Sequence, residues 1–247
     1  MLKYILLGLI QGLTEFFPVS SSAHLVILQK LLGMSGNEVA LSVVLHLGTV
    51  LALIIYFFKD ILKLLSDIKS LILIIIVTVI TGAIGITGKN FFEGLFSSPK
   101  LVALALVCTG IILILTKKFM EAKSEVLDIK DALILGLAQG FAIIPGISRS
   151  GITISTLLFR KVGRMTSFRF SFLASIPAVL GAAILEAKKI ELLTKVDVKN
   201  FTWGFIFSFI AGIFSLWLLK RIIGKAKLYY FGYYCIFIGL ITLLFIR

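Results

Sequence analysis

The sequence predicts an all-α polytopic membrane protein: six transmembrane helices plus two re-entrant helical hairpins in an inverted-topology repeat. Three observations predict it. Of the 247 residues, 59% are hydrophobic and the mean hydropathy is +1.10, more than a soluble core of this size needs. Two pairs of apolar runs, each too short to cross a bilayer, are broken at Pro18 and at Pro145. Those pairs superimpose without a gap on a shift of 128 positions (139 minus 11), which aligns Gln11 with Gln139, Gly12 with Gly140, Ser20 with Ser148 and Ser22 with Ser150.

The elements follow in order. Leu2–Phe17 and Ser21–Leu32 are half-helices, because Pro18 has no N–H and Ser20, Ser21 and Ser22 are helix-capping residues. A hairpin of this kind is tolerated where its break faces protein or a polar cavity; a single kinked span is the alternative. Val39–Phe58 and Leu71–Gly88 read as full spans, joined by KDILKLLSDIKS, an interfacial connection with Ile61, Leu65 and Ile68 on one face. The loop KNFFEGLFSSPK ends in Ser98 and Pro99, a helix start signal for the span Leu101–Thr116. Residues 1–116 form the first repeat, 117–131 a polar connecting loop, and 132–247 the second, inverted repeat. The second repeat has the broken pair Ala132–Ile144 and Ser148–Phe159, then the spans Phe170–Ala187, Phe201–Leu219 and Leu228–Ile246. With three spans per half, the second half enters from the opposite side.

The formal charge of +13 reads as basic loops punctuating apolar runs, not as a nucleic-acid surface. In this topology one side carries nine Lys and Arg, including Lys3, Lys89, Lys188, Lys189 and Arg247. The other carries fifteen, including Lys63, Lys123, Arg160 and Lys225. The fifteen are expected in the cytoplasm, which turns the first hairpin outward. Lys3 and the apolar run after it resemble a signal peptide, but Gln11 and Glu15 interrupt the run and no cleavage site follows, so it is expected to be retained. Cys108 and Cys235 read as packing residues and not as a disulfide or metal site.

The chemistry concentrates at the two breaks. Gln11 and Glu15, four apart, share a helix face, and a carboxylate in apolar surroundings requires a cation, a donor or a proton. Ser20, Ser21 and Ser22 lie where a half-helix begins, so its free N–H groups and dipole favour an anion. His24, a turn further on, can move protons near neutral pH. In the second break, Gly146 and Gly151 allow close backbone approach, and Ser148, Arg149 and Ser150 start another half-helix. Arg149 is the arginine set within an apolar segment, and its planar fork suits phosphate or carboxylate. Plainer readings stand beside these. Ser155 and Thr156 bond the helix backbone, Glu15 and Arg149 pair with each other, His46 makes an interhelical hydrogen bond, and Tyr229, Tyr230, Tyr233 and Tyr234 form an interface belt.

QGLTEFFPVSSSAH and PGISRSGITI resemble the two signature segments of the undecaprenyl-diphosphatase family, the bacitracin-resistance proteins, and the likeness continues through FSFLASIPAVLGA. Gln11 stands where relatives carry a first glutamate, and Ala23 where a glycine is common. The resemblance implies hydrolysis of undecaprenyl diphosphate to the monophosphate and inorganic phosphate, recycling the lipid carrier of cell-wall synthesis. The setting it implies is the outer face of the cytoplasmic membrane, with a divalent cation such as magnesium or calcium held by Glu15, with Gln11. It also implies Ser21 as nucleophile, Glu15 and His24 in acid/base or metal roles, and Arg149 as the diphosphate-binding arginine. Gln11, Ser20, Ser22, Ser148, Ser150, Gly151 and Thr153 are expected to line the substrate. The expected partners are the polyprenyl diphosphate and membrane lipids, with no nucleic acid; a homodimer is left open. The competing class is a transporter or flippase, since broken helices in inverted repeats also build secondary transporters.

Overall fold

The computed structural model describes residues 1–32, 38–96, 98–119, 121, 124–186 and 195–245. Among them no strand occurs; one isolated bridge joins Ser124 and Val162. The helices are α1 Leu2–Phe16, α2 Ser21–Leu31, α3 Glu38–Tyr56, α4 Phe58–Leu65, α5 Ile68–Thr87, α6 Lys89–Phe96, α7 Pro99–Leu115, α8 Ile129–Phe141, α9 Arg149–Phe159, α10 Arg164–Glu186, α11 Lys195–Gly224 and α12 Tyr229–Phe245. A short 3₁₀ turn, Thr116–Phe119, extends α7.

Both predicted breaks are present. α1 stops at Phe16, ahead of Pro18, and α2 restarts at Ser21 after Ser20, whose φ is 65°. α8 ends at Phe141 and α9 starts at Arg149, with Ser148 capping through a bond from the Gly151 N–H to its hydroxyl (3.1 Å). α8 begins three residues before the expected Ala132, because Asp128 and Asp131 close a capping box.

Among the described residues, four helical stretches are long and apolar enough to cross a membrane: Ile68–Thr87, Pro99–Phe119, Arg164–Ile184 and Val198–Gly224. α3 and α4, bent by 68°, qualify together as a fifth, whereas α12 has 17 residues. The connection expected to lie at the interface forms the helix α4, which buries none of its residues. α6 is a further helix, in a segment expected to be a loop. The ends of two expected spans, Ala187 and Ile246, and the counted charges Lys123, Lys188, Lys189 and Arg247 lie outside the described residues. α5 exposes Ile72, Ile75, Val79 and Ile86 along one side, the pattern of a lipid-facing stripe.

Packing is reciprocal between the two halves. α1 runs along α11, and α8 along α5; α3 lies on α11, and α10 on α5; α7 and α12 pair with each other. Small residues allow these approaches. A Cβ on Gly12 would lie 2.5 Å from the Ser208 carbonyl oxygen, and one on Gly140 would lie 2.4 Å from Ile84 Cδ1. The α7–α12 contact is a mirror of itself. A Cβ on Gly110 would lie 2.7 Å from the Gly232 carbonyl oxygen, and one on Gly232 would lie 2.6 Å from that of Gly110. Behind the first break, Phe16, Phe57, Phe168 and Phe172 pack edge to face, tilted or, for Phe57 on Phe172, stacked, with ring centroids 5.1–5.9 Å apart. This cluster fixes the end of α1, and with it Glu15.

Candidate active site

Glu15 is the point on which the two breaks converge. It sits in the last turn of α1, and its side chain is only 6% exposed. The Arg149 guanidinium, from the first turn of α9, donates to its Oε1. Its Oε2 accepts the Ser21 hydroxyl at 2.6 Å and the Gln11 side-chain amide at 3.0 Å, and lies 3.5 Å from His46 Nε2. A serine from one hairpin and an arginine from the other therefore meet on one carboxylate. On the 128-residue shift, Ser21 and Arg149 occupy the same repeat position (149 minus 21). Equivalent helix starts hold a hydroxyl in one half and a guanidinium in the other.

The hairpins are also stitched directly. The Gly146 N–H donates to Ser22 Oγ (3.4 Å), and Ser150 Oγ donates to the Phe17 carbonyl (3.3 Å). Ser20 Oγ lies 3.1 Å from Ser22 Oγ, and Ser148 Oγ lies 3.3 Å from Ser150 Oγ. Gly146 has φ +98°, and a Cβ there would lie 2.2 Å from the Val102 carbonyl oxygen, so the second break requires glycine at that point. A Cβ on Gly151 would sit 3.2 Å from Pro18 Cβ, bringing α9 against the first break.

Other expected site residues are placed differently. His24 bonds neither Glu15 nor Ser21 among the described contacts: its Nδ1 lies 2.8 Å from the Ser20 carbonyl and its Nε2 lies 2.8 Å from the Tyr234 hydroxyl. Thr153 donates to the Arg149 carbonyl (2.7 Å) or shares a proton with Ser171 (2.6 Å), which steadies α9 against α10. Gln139, the repeat mate of Gln11, bonds Thr81 at 3.2 Å, away from the Glu15 cluster. The alternative pairing of Glu15 with Arg149 does occur, and Ser21 occupies the other oxygen of the same carboxylate.

Three residues join the site without having been singled out for it. His46, expected to make an interhelical hydrogen bond, bonds the Ser42 carbonyl of its own helix, and its Nε2 lies 3.5 Å from Glu15 of α1. Tyr234, read as part of an interface belt, reaches His24. Thr109 donates to the Gly146 carbonyl (3.1 Å) and accepts the Ser148 N–H (3.0 Å), bracing the second break. No spacing rule marks a threonine within LVALALVCTGIILIL for that task.

The donor set bears on the expected cation. Glu15 is the carboxylate of the cluster, and both its oxygens are already engaged. Gln11 turns its NH₂ toward Glu15, leaving its Oε1 buried and without a partner. Among the described residues no three His, Cys, Asp or Glu gather where a metal could be held. This arrangement does not form a protein cage for a divalent ion. Its positive charge comes from Arg149 and from two helix starts, which together suit an anion.

Known proteins resemble this chain along nearly all of its length. The family described as bacitracin resistance protein BacA matches residues 4–241. An undecaprenyl-diphosphatase of Halothermothrix orenii is 41% identical, over 98% of this chain and 96% of that protein. One of Carboxydothermus hydrogenoformans is 41% identical, over 97% and 95%. One of Thermotoga maritima is 38% identical, over 97% and 98%.

Proposed function

The chain belongs to the bacitracin resistance protein BacA family, and from that premise we propose that its two joined breaks hydrolyse undecaprenyl diphosphate to undecaprenyl phosphate and inorganic phosphate. The enzyme is an undecaprenyl-diphosphate phosphatase, a hydrolase of a phosphoric anhydride, and it recycles the lipid carrier of cell-wall synthesis. The observation that carries the reading is Glu15 holding Ser21 on one oxygen and Arg149 on the other. Phosphoryl transfer needs positioning and charge neutralisation above all. Arg149 turns its fork to the diphosphate, and the free N–H groups at the starts of α2 and α9 face its oxygens. Ser21 Oγ attacks the terminal phosphorus and gives its proton to Glu15 Oε2. The anhydride P–O bond breaks, undecaprenyl phosphate leaves, and water then releases phosphate from the serine. Magnesium or calcium is proposed only as the counter-ion of the incoming diphosphate. Gln11, Ser20, Ser22, Ser148 and Ser150 line the approach, Gly151 and Thr153 support α9, and His24 with Tyr234 borders the start of α2.

The reciprocal packing of α1 on α11 and α8 on α5 supports an inverted repeat of six spans and two re-entrant hairpins. The fifteen-to-nine charge bias supports a cytoplasmic-membrane orientation with the first hairpin facing outward. One chain supplies the whole Glu15 cluster, so a homodimer adds nothing that the chemistry requires. Purified protein in detergent, given undecaprenyl diphosphate with and without chelator, is expected to release phosphate, and to release less with chelator. Transport requires two compartments, so absence of release in detergent alongside lipid movement in vesicles overturns the hydrolase in favour of a transporter.

A further inference from the structure

We propose that His46 is a positioning residue for this reaction: it anchors the Glu15 carboxylate in the place where Ser21 can use it. This rests on the phosphatase reading above. His46 lies in the middle of α3, and its Nδ1 is 2.7 Å from the carbonyl oxygen of Ser42, one turn earlier. A carbonyl only accepts, so Nδ1 carries a hydrogen and Nε2 is the edge left to face the cluster. Nε2 lies 3.5 Å from Glu15 Oε2, the oxygen that takes the Ser21 hydroxyl at 2.6 Å. With a hydrogen on Nε2 as well, the ring is a cation that pairs with the carboxylate across this distance.

The other partners of Glu15 cannot keep it still during turnover. Ser21 leaves the carboxylate to attack phosphorus, and Arg149 turns to the diphosphate. Gln11 is on α1 one turn before Glu15 and moves with it. His46 alone among these partners comes from an element that the reaction does not recruit. α3 is itself braced on α11, where Ser208 donates to the Leu45 carbonyl at 2.9 Å. The ring is also the more open end of the contact, with the His46 side chain 33% exposed against 6% for Glu15. It stands at the rim of the cluster and holds it from outside.

The test compares wild type, His46→Ala, His46→Phe and His46→Gln as purified full-length protein releasing phosphate from undecaprenyl diphosphate in one detergent. Alanine and phenylalanine remove the donor, and phenylalanine keeps the volume, so packing loss is separated from donor loss. Both are expected to lower kcat roughly tenfold to a hundredfold with KM little changed, because a misplaced catalytic group costs turnover. Glutamine, which restores an N–H at similar reach, is expected to recover most of the loss. A mere helix–helix contact predicts otherwise: lower thermal stability with kcat kept. Wild-type kcat in His46→Phe, equal losses in the phenylalanine and glutamine variants, or a loss confined to KM overturns the positioning role and leaves the phosphatase intact. No release by wild type overturns both.

Discussion

Glu15 carries more of this protein than any other side chain, and its neighbours separate into those that react and those that hold. Ser21 and Arg149 share one repeat position, yet only the guanidinium offers a bidentate fork. Arg149→Lys keeps the charge and loses the fork, so turnover on undecaprenyl diphosphate is expected to fall at least about tenfold. Near wild-type turnover would reduce Arg149 to a salt-bridge partner. The serine run separates in the same manner. Ser21→Ala removes the hydroxyl on Glu15 and is expected to be nearly inactive while still binding the lipid diphosphate. Ser20→Ala loses an N-cap contact to Ala23 and Ser22→Ala a link to Gly146, losses of about 1 kcal/mol in stability each with most activity retained. Turnover and binding for the three variants decide the assignment; an active Ser21→Ala leaves a water activated by Glu15.

At the scale of elements, the helices that carry the breaks are held by close approach. Gly12 lies against Ser208, Ala211 and Gly212 of α11, and Gly140 against Ile84 of α5. These are equivalent places on the 128-residue shift, since 84 plus 128 is 212. Gly12→Val must push α1 off α11, and a shift of overpacked elements costs about 1–3 kcal/mol. It also moves Glu15, three residues on, so lower detergent stability is expected together with lost activity. Gly82→Ala, on α5 with nothing within 4 Å of a new Cβ, is the matched control. It is expected to leave melting temperature unchanged or raise it slightly. Equal melting temperatures for Gly12→Val and wild type would show that α1 and α11 are not tightly packed.

For the whole molecule, the decisive property is which end faces outward, because that fixes which pool of lipid diphosphate is reached. The counts of fifteen and nine basic residues make a specific expectation. In a background of Cys108→Ser and Cys235→Ser, Lys89→Cys should react with an impermeant thiol reagent added to intact cells. Lys63→Cys and Lys225→Cys should react only after the cells are opened. The opposite labelling reverses the orientation and places the Glu15 cluster on the cytoplasmic side.

The membrane class and the two breaks were readable along the chain, because each rests on local chemistry. A proline without an N–H, a run of capping serines and a pair of Gln-Gly steps act within a turn of where they stand. Glu15, Arg149 and the serine run stood out for the same reason, as ionisable and hydroxyl groups within apolar runs, whereas the choice of Ser21 within that run came from the family resemblance. α6 and the early start of α10 were not legible. α6 is a short amphipathic helix in a segment rich in turn residues, and α10 begins at Arg164, ahead of the expected Phe170, where Glu125 of the connecting segment lies against Gly163 and accepts from Thr166. That Ser21 and Arg149 meet on Glu15, 134 positions from Arg149, follows from the packing of the two breaks. The same holds for the roles of His46, Thr109 and Tyr234. Their side chains are ordinary for a helix interior or a membrane interface, and what distinguishes them is the partner that another helix brings. That partner is set by how α3, α7 and α12 pack, a property of the whole chain that no local pattern carries.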